Sequence, residues 1–224
     1  MQRTPEPEEL MNEAEQAQAY AAADFDQANE LFAELLEQLS PDALDGHLLD
    51  LGCGPADIPL LLATRHPGLY IDAVDGARAM LDLAERRLSN AAEAGKRVRL
   101  LCEYLPSARL ERQHYRFVVS NSLLHHLADP GVLWDTIKQC AQPGARVLIM
   151  DLARPASELA LDAVVETYAI DEPDILRRDF RNSLMAAYTM DEVHDQLLKA
   201  NLDHLDVGMV SDRHLAVQGE WQAP

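Results

Sequence analysis

From His47 to Leu152 the chain switches repeatedly between short apolar runs and stretches of helical periodicity. "HLLDLG", "LYIDAVD", "RVRLLCE", "YRFVVSN" and "QPGARVLIMDL" read as five strands. "DIPLLLATRH", "ARAMLDLAERRLSNAAEAG" and "PGVLWDTIKQCA" read as helices between them. The second of these reads as one long amphipathic helix, closed by Gly95 in the C′ position. Alternation of this kind specifies a parallel sheet with helices on both faces.

The flanks follow other patterns. The first 40 residues are rich in Ala, Glu and Gln and read as two helices broken near "ADFD". After Arg154-Pro155 the chain reads as mostly helical through Asn201. "LDHLDVGMV" and "RHLAVQGE" then read as two strands joined at Ser211-Asp212, so the last strand runs antiparallel. The expectation is a single α/β domain over 1–224 with a doubly wound, seven-stranded, mostly parallel sheet. Its parts would be an N-terminal helical cap at 1–40, a core at 41–154, a helical lid at 155–201 and closing strands at 202–224.

Composition removes some partners. Against 38 acidic residues stand 19 Lys and Arg, a formal charge of −19. Such a surface repels phosphate backbones and anionic lipid, so nucleic acid is not the expected partner. No apolar stretch approaches the ~20 residues of a membrane span. The N-terminus "MQRTPEPEEL" has no apolar run after its single Arg and does not read as a signal peptide. Three cysteines, at 53, 102 and 140, make no CxxC and read as reduced thiols of a cytoplasmic protein.

The first strand runs into "DLGCGPAD". In a doubly wound sheet, ligands sit at the carboxyl ends of the strands. There Gly52 and Gly54 let the backbone approach a ligand, and Asp75, ending the second strand, is placed to bind a ribose diol. A dinucleotide needs G-x-G-x-x-G, with its diphosphate on the helix N-terminus. Here Asp57 holds the third glycine's place, and Asp50 adds a second negative charge. S-adenosylmethionine, which has no phosphate and carries a sulfonium and an ammonium, suits such a turn. Asp57 also has a plain reading as a first-turn carboxylate.

Over Gly46 to Pro155 the chain resembles the class I, Rossmann-like, S-adenosylmethionine-dependent methyltransferases. "LLDLGCGPADIP" is similar to their first motif, and "IDAVDGARAMLDLA" to the second-strand region. "CEYLP", "FVVSNSLLHHLADP" and "QPGARVLIMDLARP" resemble the segments of strands three to five. The resemblance implies a cofactor set of Asp50, Gly52, Cys53, Gly54, Asp75, Gly76, Met80, Glu103, Tyr104, Asn121 and Ser122. Tyr20 joins it if the N-terminal helices cover the cofactor. Departures from the family pattern are Ala56 for a third Gly, Glu103 for the commoner Asp, and Asn121 for a frequent Asp.

Catalytic candidates collect on the same edge. His125 and His126 follow the fourth strand, and His suits a general base at neutral pH. On a helix these neighbours would diverge by about 100°, too far to grip one metal together. His214 could be oriented by Asp212 on the same face of an extended segment, and Arg154 could clamp a substrate carboxylate. Arg177, Arg178 and Arg181 form a basic patch that either receives an anion or pairs with nearby Asp residues. No metal-ligand spacing is evident, so no metal is expected.

The function expected is methyl transfer from S-adenosylmethionine to a small-molecule acceptor. The alternatives are a non-methylating enzyme that binds the same cofactor and a cofactor-sensing binding module. A nicotinamide oxidoreductase on the same fold is a fourth reading. The acceptor atom is not written in the sequence, and neither is oligomeric state, where a homodimer stays open.

Overall fold

The computed structural model describes residues 1–6, 10–40 and 42–222. The expected boundary at residue 41 and the chain end at 223–224 lie outside the described residues. Two helices come first, α1 (Ala14–Ala22) and α2 (Asp26–Leu39). An alternating segment follows: β1 (Gly46–Leu51), α3 (Asp57–Arg65), β2 (Leu69–Asp75), α4 (Arg78–Asn90), α5 (Ala92–Gly95) and β3 (Val98–Cys102). It continues with β4 (Tyr115–Asn121), a 3-10 turn at Leu124–His126, α6 (Gly131–Cys140) and β5 (Ala141–Leu152). The chain closes with α7 (Glu158–Ala169), α8 (Asp174–Ala186), α9 (Met190–Ala200), β6 (Asp206–Met209) and β7 (His214–Glu220).

The strands form one sheet in the order β3-β2-β1-β4-β5-β7-β6. β1 to β5 pair in parallel, and β7 runs antiparallel to both β5 and β6. Both faces are dry. Leu49, Leu51, Val118, Val147 and Ile149 pack with Trp134 and Ile137 of α6 and Val193 and Leu197 of α9. Their strand neighbours Leu48, Val119, Leu148 and Met150 face the other way, onto Phe32 and Leu36 of α2, Leu62 of α3 and Leu81 of α4. Side chains alternate across a strand, so one nearly continuous apolar run feeds two cores.

The long helix expected to end at Gly95 is interrupted. It stops at Asn90, Ala92 takes a left-handed φ of 46°, and a single turn follows to Gly95. Gly95 itself is not left-handed; a Cβ there would lie 2.1 Å from the Leu88 carbonyl oxygen. In the segment grouped as a lid, α7 and α8 pack on each other around Leu161, Val165 and Leu184. α9 instead lies on the sheet with α6, tied by the Trp134 Nε1 donating to Gln196 Oε1 at 3.0 Å.

Register brings five strand ends to one edge. Asp50 pairs with Val119, Asp75 with Cys102 and Asn121 with Met150. Because β7 is reversed, its first residue, His214, pairs with Leu152 at the end of β5. A cavity of about 660 Å³ opens there, roofed by α1, the start of α2, α7 and α8.

Candidate active site

Between β1 and α3 the chain turns through Gly52 at φ 78° and Gly54 at φ 53°, then through Ala56 at φ 65°. Ala56, in the third-glycine position, therefore carries a left-handed backbone with a buried methyl. The amides of this turn are already committed. Gly52 N and Cys53 N donate to the Val74 carbonyl at 2.8 and 2.9 Å, and Ala56 N donates to Cys53 O. Gly54 N donates to Asp75 Oδ2 at 2.8 Å, and Ala77 N to Asp75 Oδ1 at 2.7 Å. Each Asp75 oxygen keeps a lone pair for a further donor.

All twelve residues expected to meet a cofactor line this cavity: Asp50, Gly52, Cys53, Gly54, Asp75, Gly76, Met80, Glu103, Tyr104, Asn121, Ser122 and Tyr20. Their charge state differs from the simple reading of the sequence. Asp57 is not a bare anion, because the Arg87 guanidinium of α4 is paired with it. Asp50 is buried, and burial together with the nearby Asp75 pushes its pKa up to about 8. At neutral pH burial therefore favours the protonated form of Asp50. Burial likewise raises Asp75, outweighing its two backbone hydrogen bonds. The amides of Gly52, Cys53, Gly54 and Ala56 are thus all spent within the protein, and the carboxyls around them are not a simple ring of negative charge.

The cavity floor is rich in acceptors. Asp50 Oδ2 and Asn121 Oδ1 are both buried without a hydrogen-bond partner. Glu103 is spent differently: Arg109 and Ser107 Oγ hold its carboxylate at 2.5 and 3.0 Å. Tyr20 packs its ring on Phe25 at 4.7 Å, and burial with Asp57 and Asp75 pushes its hydroxyl up to about 12.

Four candidates on the chemical side resolve unequally. His125, His126 and His214 line the cavity; Arg154 does not. Arg154 is instead a strut, donating to Met1 O at 3.1 Å, Ala187 O at 3.0 Å and Glu192 at 2.7 Å. Its substrate-clamp role is withdrawn, since the guanidinium is used up inside the protein. The Asp212–His214 pair also fails. Asp212 accepts from the Tyr168 hydroxyl at 2.5 Å, while His214 Nδ1 meets Ser211 Oγ at 2.9 Å. Ser211 Oγ already accepts the His214 and Arg213 amides, so its own proton goes to Nδ1 and leaves Nε2 as a donor. Burial and Arg213 push His214 down to about 4, so the ring is neutral at pH 7.

His125 and His126 do not diverge. They sit on a 3-10 turn with ring centroids 4.1 Å apart and a 35° tilt. His125 Nδ1 lies 2.6 Å from Asp151 Oδ1, and Leu124 N donates to Asp151 Oδ2 at 2.7 Å. Burial works against a charge on His125, yet Asp151 outweighs it and raises the pKa. The basic patch takes its plain reading: Arg177 pairs with Asp174, Arg178 with Asp179, and Arg181 with Asp162.

Sequence reasoning missed Glu6, Arg3 and Arg87. The first segment of the chain crosses the site, with Arg3 donating to Ala186 O and to His125 O at 2.5 and 3.0 Å. A polar residue in a Pro- and Glu-rich stretch carries no local signal of such a partner.

Residues 23–207 match the family model of the methyltransferase domain. The chain belongs to this family. An uncharacterized methyltransferase of Mycobacterium tuberculosis is 30% identical over 109 residues, which is 49% of this chain and 52% of that protein. The chain spans about half the length of the mycobacterial relatives it matches. The 27-O-demethylrifamycin SV methyltransferase of Amycolatopsis mediterranei is 26% identical over 81% of this chain and 63% of that one. A SAM-dependent methyltransferase of Aquifex aeolicus shares the fold, with a TM-score of 0.68 at 18% identity over 92% of this chain and 97% of the other. The fold of this methyltransferase domain is thus shared with a solved methyltransferase.

Proposed function

We propose that this methyltransferase-domain protein moves the methyl group of S-adenosylmethionine to an oxygen- or nitrogen-bearing small molecule. One observation carries the reading. The turn offers no free amide donor at Gly52, Cys53, Gly54 or Ala56, while the floor holds the buried, unpartnered acceptor Asn121 Oδ1 and an unpartnered Asp50 carboxyl that a cation would ionise. That inventory fits a ligand rich in donors, with an ammonium and ribose hydroxyls, and does not fit a dinucleotide.

Asp75 accepts the ribose hydroxyls with its remaining lone pairs. Asp50 and Asn121 accept the ammonium, and Met80 and Tyr104 enclose the adenine side. Bound there, the sulfonium supplies an already activated methyl group. The chain's own task is alignment of the acceptor and exclusion of water. Leu152, Tyr168, Ala169, Leu176 and Phe180 give the acceptor side an apolar wall. The neutral His214 ring, with Nε2 as a donor, orients a polar atom of the acceptor. The family match and the relatives named methyltransferases support the reading. No helix among the described residues is long and apolar enough to cross a membrane.

The test is a thermal-shift titration with S-adenosylmethionine, S-adenosylhomocysteine and NAD, followed by incubation with methyl-labelled cofactor and metabolite extract. Stabilisation by the first two and a labelled product are expected. Stabilisation by NAD alone overturns the assignment. Cofactor binding without any labelled product favours a non-methylating enzyme or a sensor.

A further inference from the structure

Beside the acceptor wall lies a cluster that methyl transfer as described above does not use. The 3-10 turn after β4 presents His125 and His126, and the N-terminal segment brings Glu6 down onto them. Glu6 is fixed from the other side by Ser183 Oγ of α8, which donates to Oε1 at 2.5 Å. Thr4 N donating to Met185 O holds the segment in place.

The orientation of each ring matters. Asp151 is buried and engages His125 Nδ1, so that nitrogen donates and Nε2 keeps its lone pair. Nε2 lies 4.0 Å from Glu6 Oε1, too far for a hydrogen bond. His126 Nδ1 lies 2.7 Å from Glu6 Oε2, yet it is buried and makes no aligned hydrogen bond. A carboxylate and two imidazoles thus gather in one small volume. Their ligand atoms all lie within 4.8 Å of one another. A tetrahedral ion with bonds near 2.0–2.1 Å separates its ligands by about 3.4 Å, so small side-chain adjustments close the site. A carboxylate on the far nitrogen of a ligating histidine is also the usual second partner of such sites.

We propose that Glu6, His125 and His126 are the protein ligands of a divalent transition-metal ion of the zinc class, with Asp151 orienting His125 from behind. Two imidazoles and one carboxylate select Zn²⁺, Co²⁺, Mn²⁺ or Fe²⁺ over Mg²⁺ or Ca²⁺, whose sites are built from oxygen. Three protein ligands leave a fourth position open. Both histidines line the cavity, so that position faces the acceptor side and is placed to take an acceptor oxygen. This last role rests on the methyl-transfer reading; the binding of the ion does not.

The experiment uses the full chain without a histidine tag, stripped with a chelator, dialysed and titrated with Co²⁺. One ion per chain, with visible absorption bands, is expected. Glu6→Gln and His126→Asn should each weaken Co²⁺ binding by at least about tenfold. His66→Asn, a surface histidine paired with Glu37, should leave it unchanged. Because the ligand variants could unfold, wild-type protein loaded with Cu²⁺ is examined in parallel by electron spin-echo spectroscopy, where modulation from two imidazoles is expected. A wild type that takes up no stoichiometric ion, equal binding by both ligand variants, or a spectrum with fewer than two imidazoles overturns the proposal. In each case the cluster is an ion-pair latch for the N-terminal segment. Calorimetry of S-adenosylmethionine on the metal-free protein separates the two readings: cofactor binding without metal binding sinks only the metal site.

Discussion

At the scale of single residues, Asp50 and Asp75 look alike in sequence, each an acid at a strand end. Burial makes them different. Asp50 is held protonated until about pH 8, while the unfolded chain ionises it in the ordinary carboxylate range. The folded state therefore binds the extra proton between those values. Its contribution to stability is present at low pH and is lost as pH rises through about 8. A cation in the cavity favours the ionised form, so its binding releases that proton. Cofactor affinity should rise with pH, by up to about tenfold per unit below pH 8, and level off above it. Calorimetry between pH 6 and 9 measures this, and Asp50→Asn should flatten the profile. Asp75 offers a different test. Asp75→Ala removes the acceptor of the Gly54 and Ala77 amides as well as that of a ribose, and should weaken cofactor binding by about 1–3 kcal/mol. Asp75→Asn keeps one acceptor oxygen and should lose less. Equal affinities for wild type and Asp75→Ala would remove Asp75 from the ribose.

At the scale of elements, the β1–α3 turn separates two uses of glycine. A Cβ on Gly52 would lie 2.9 Å from Leu123 Cβ, whereas one on Gly54 meets nothing within 4 Å. Gly52→Ala should cost about 1–3 kcal/mol by overpacking, on top of its left-handed strain, and should displace the turn that carries His125 and His126. Gly54→Ala should cost only the strain, about 1–2 kcal/mol, but its methyl stands at the wall of the cavity. Thermal melts should therefore rank Gly52→Ala as the less stable variant. Cofactor titrations should show Gly54→Ala binding far more weakly than its melt suggests. The same scale shows what the sequence makes legible. The strands were readable because runs such as "LLDL" and "FVVS" feed two cores at once, and the carboxyl-edge rule then pointed to residues that line the edge cavity. The break at Ala92 was not readable, since alanine gives no hint of a left-handed backbone. Charge states and pairings were not readable either. Asp57 meets Arg87 from another helix, and Glu6 meets His126 from across the molecule.

At the scale of the whole molecule, the N-terminal quarter does two jobs that a cap at 1–40 would blur. Residues 1–6, with Leu10 and Met11, lie over the site: Arg3 and Thr4 anchor on α8 and on the histidine turn, and Leu10 reaches Gly76. None of these residues fills the two cores that sandwich the sheet. α2 is different, because Phe32, Ala33 and Leu36 are fully buried against Leu48, Leu62 and Ile71. Removing a buried Phe or Leu side chain costs roughly 2–5 kcal/mol each, and a domain has only about 5–15 kcal/mol in total. Two truncations should then separate sharply. Deleting residues 1–13 should leave a chain that melts cooperatively near the full-length temperature but binds cofactor weakly, because the roof over Gly76 and the histidine turn is gone. Deleting residues 1–40 exposes the apolar face of β1, β2 and α3 and should give a chain that does not fold, seen as loss of the cooperative melt and aggregation on gel filtration. If the longer deletion still melts cooperatively, α2 is a detachable cover, and the second core stands on the sheet and its remaining helices alone.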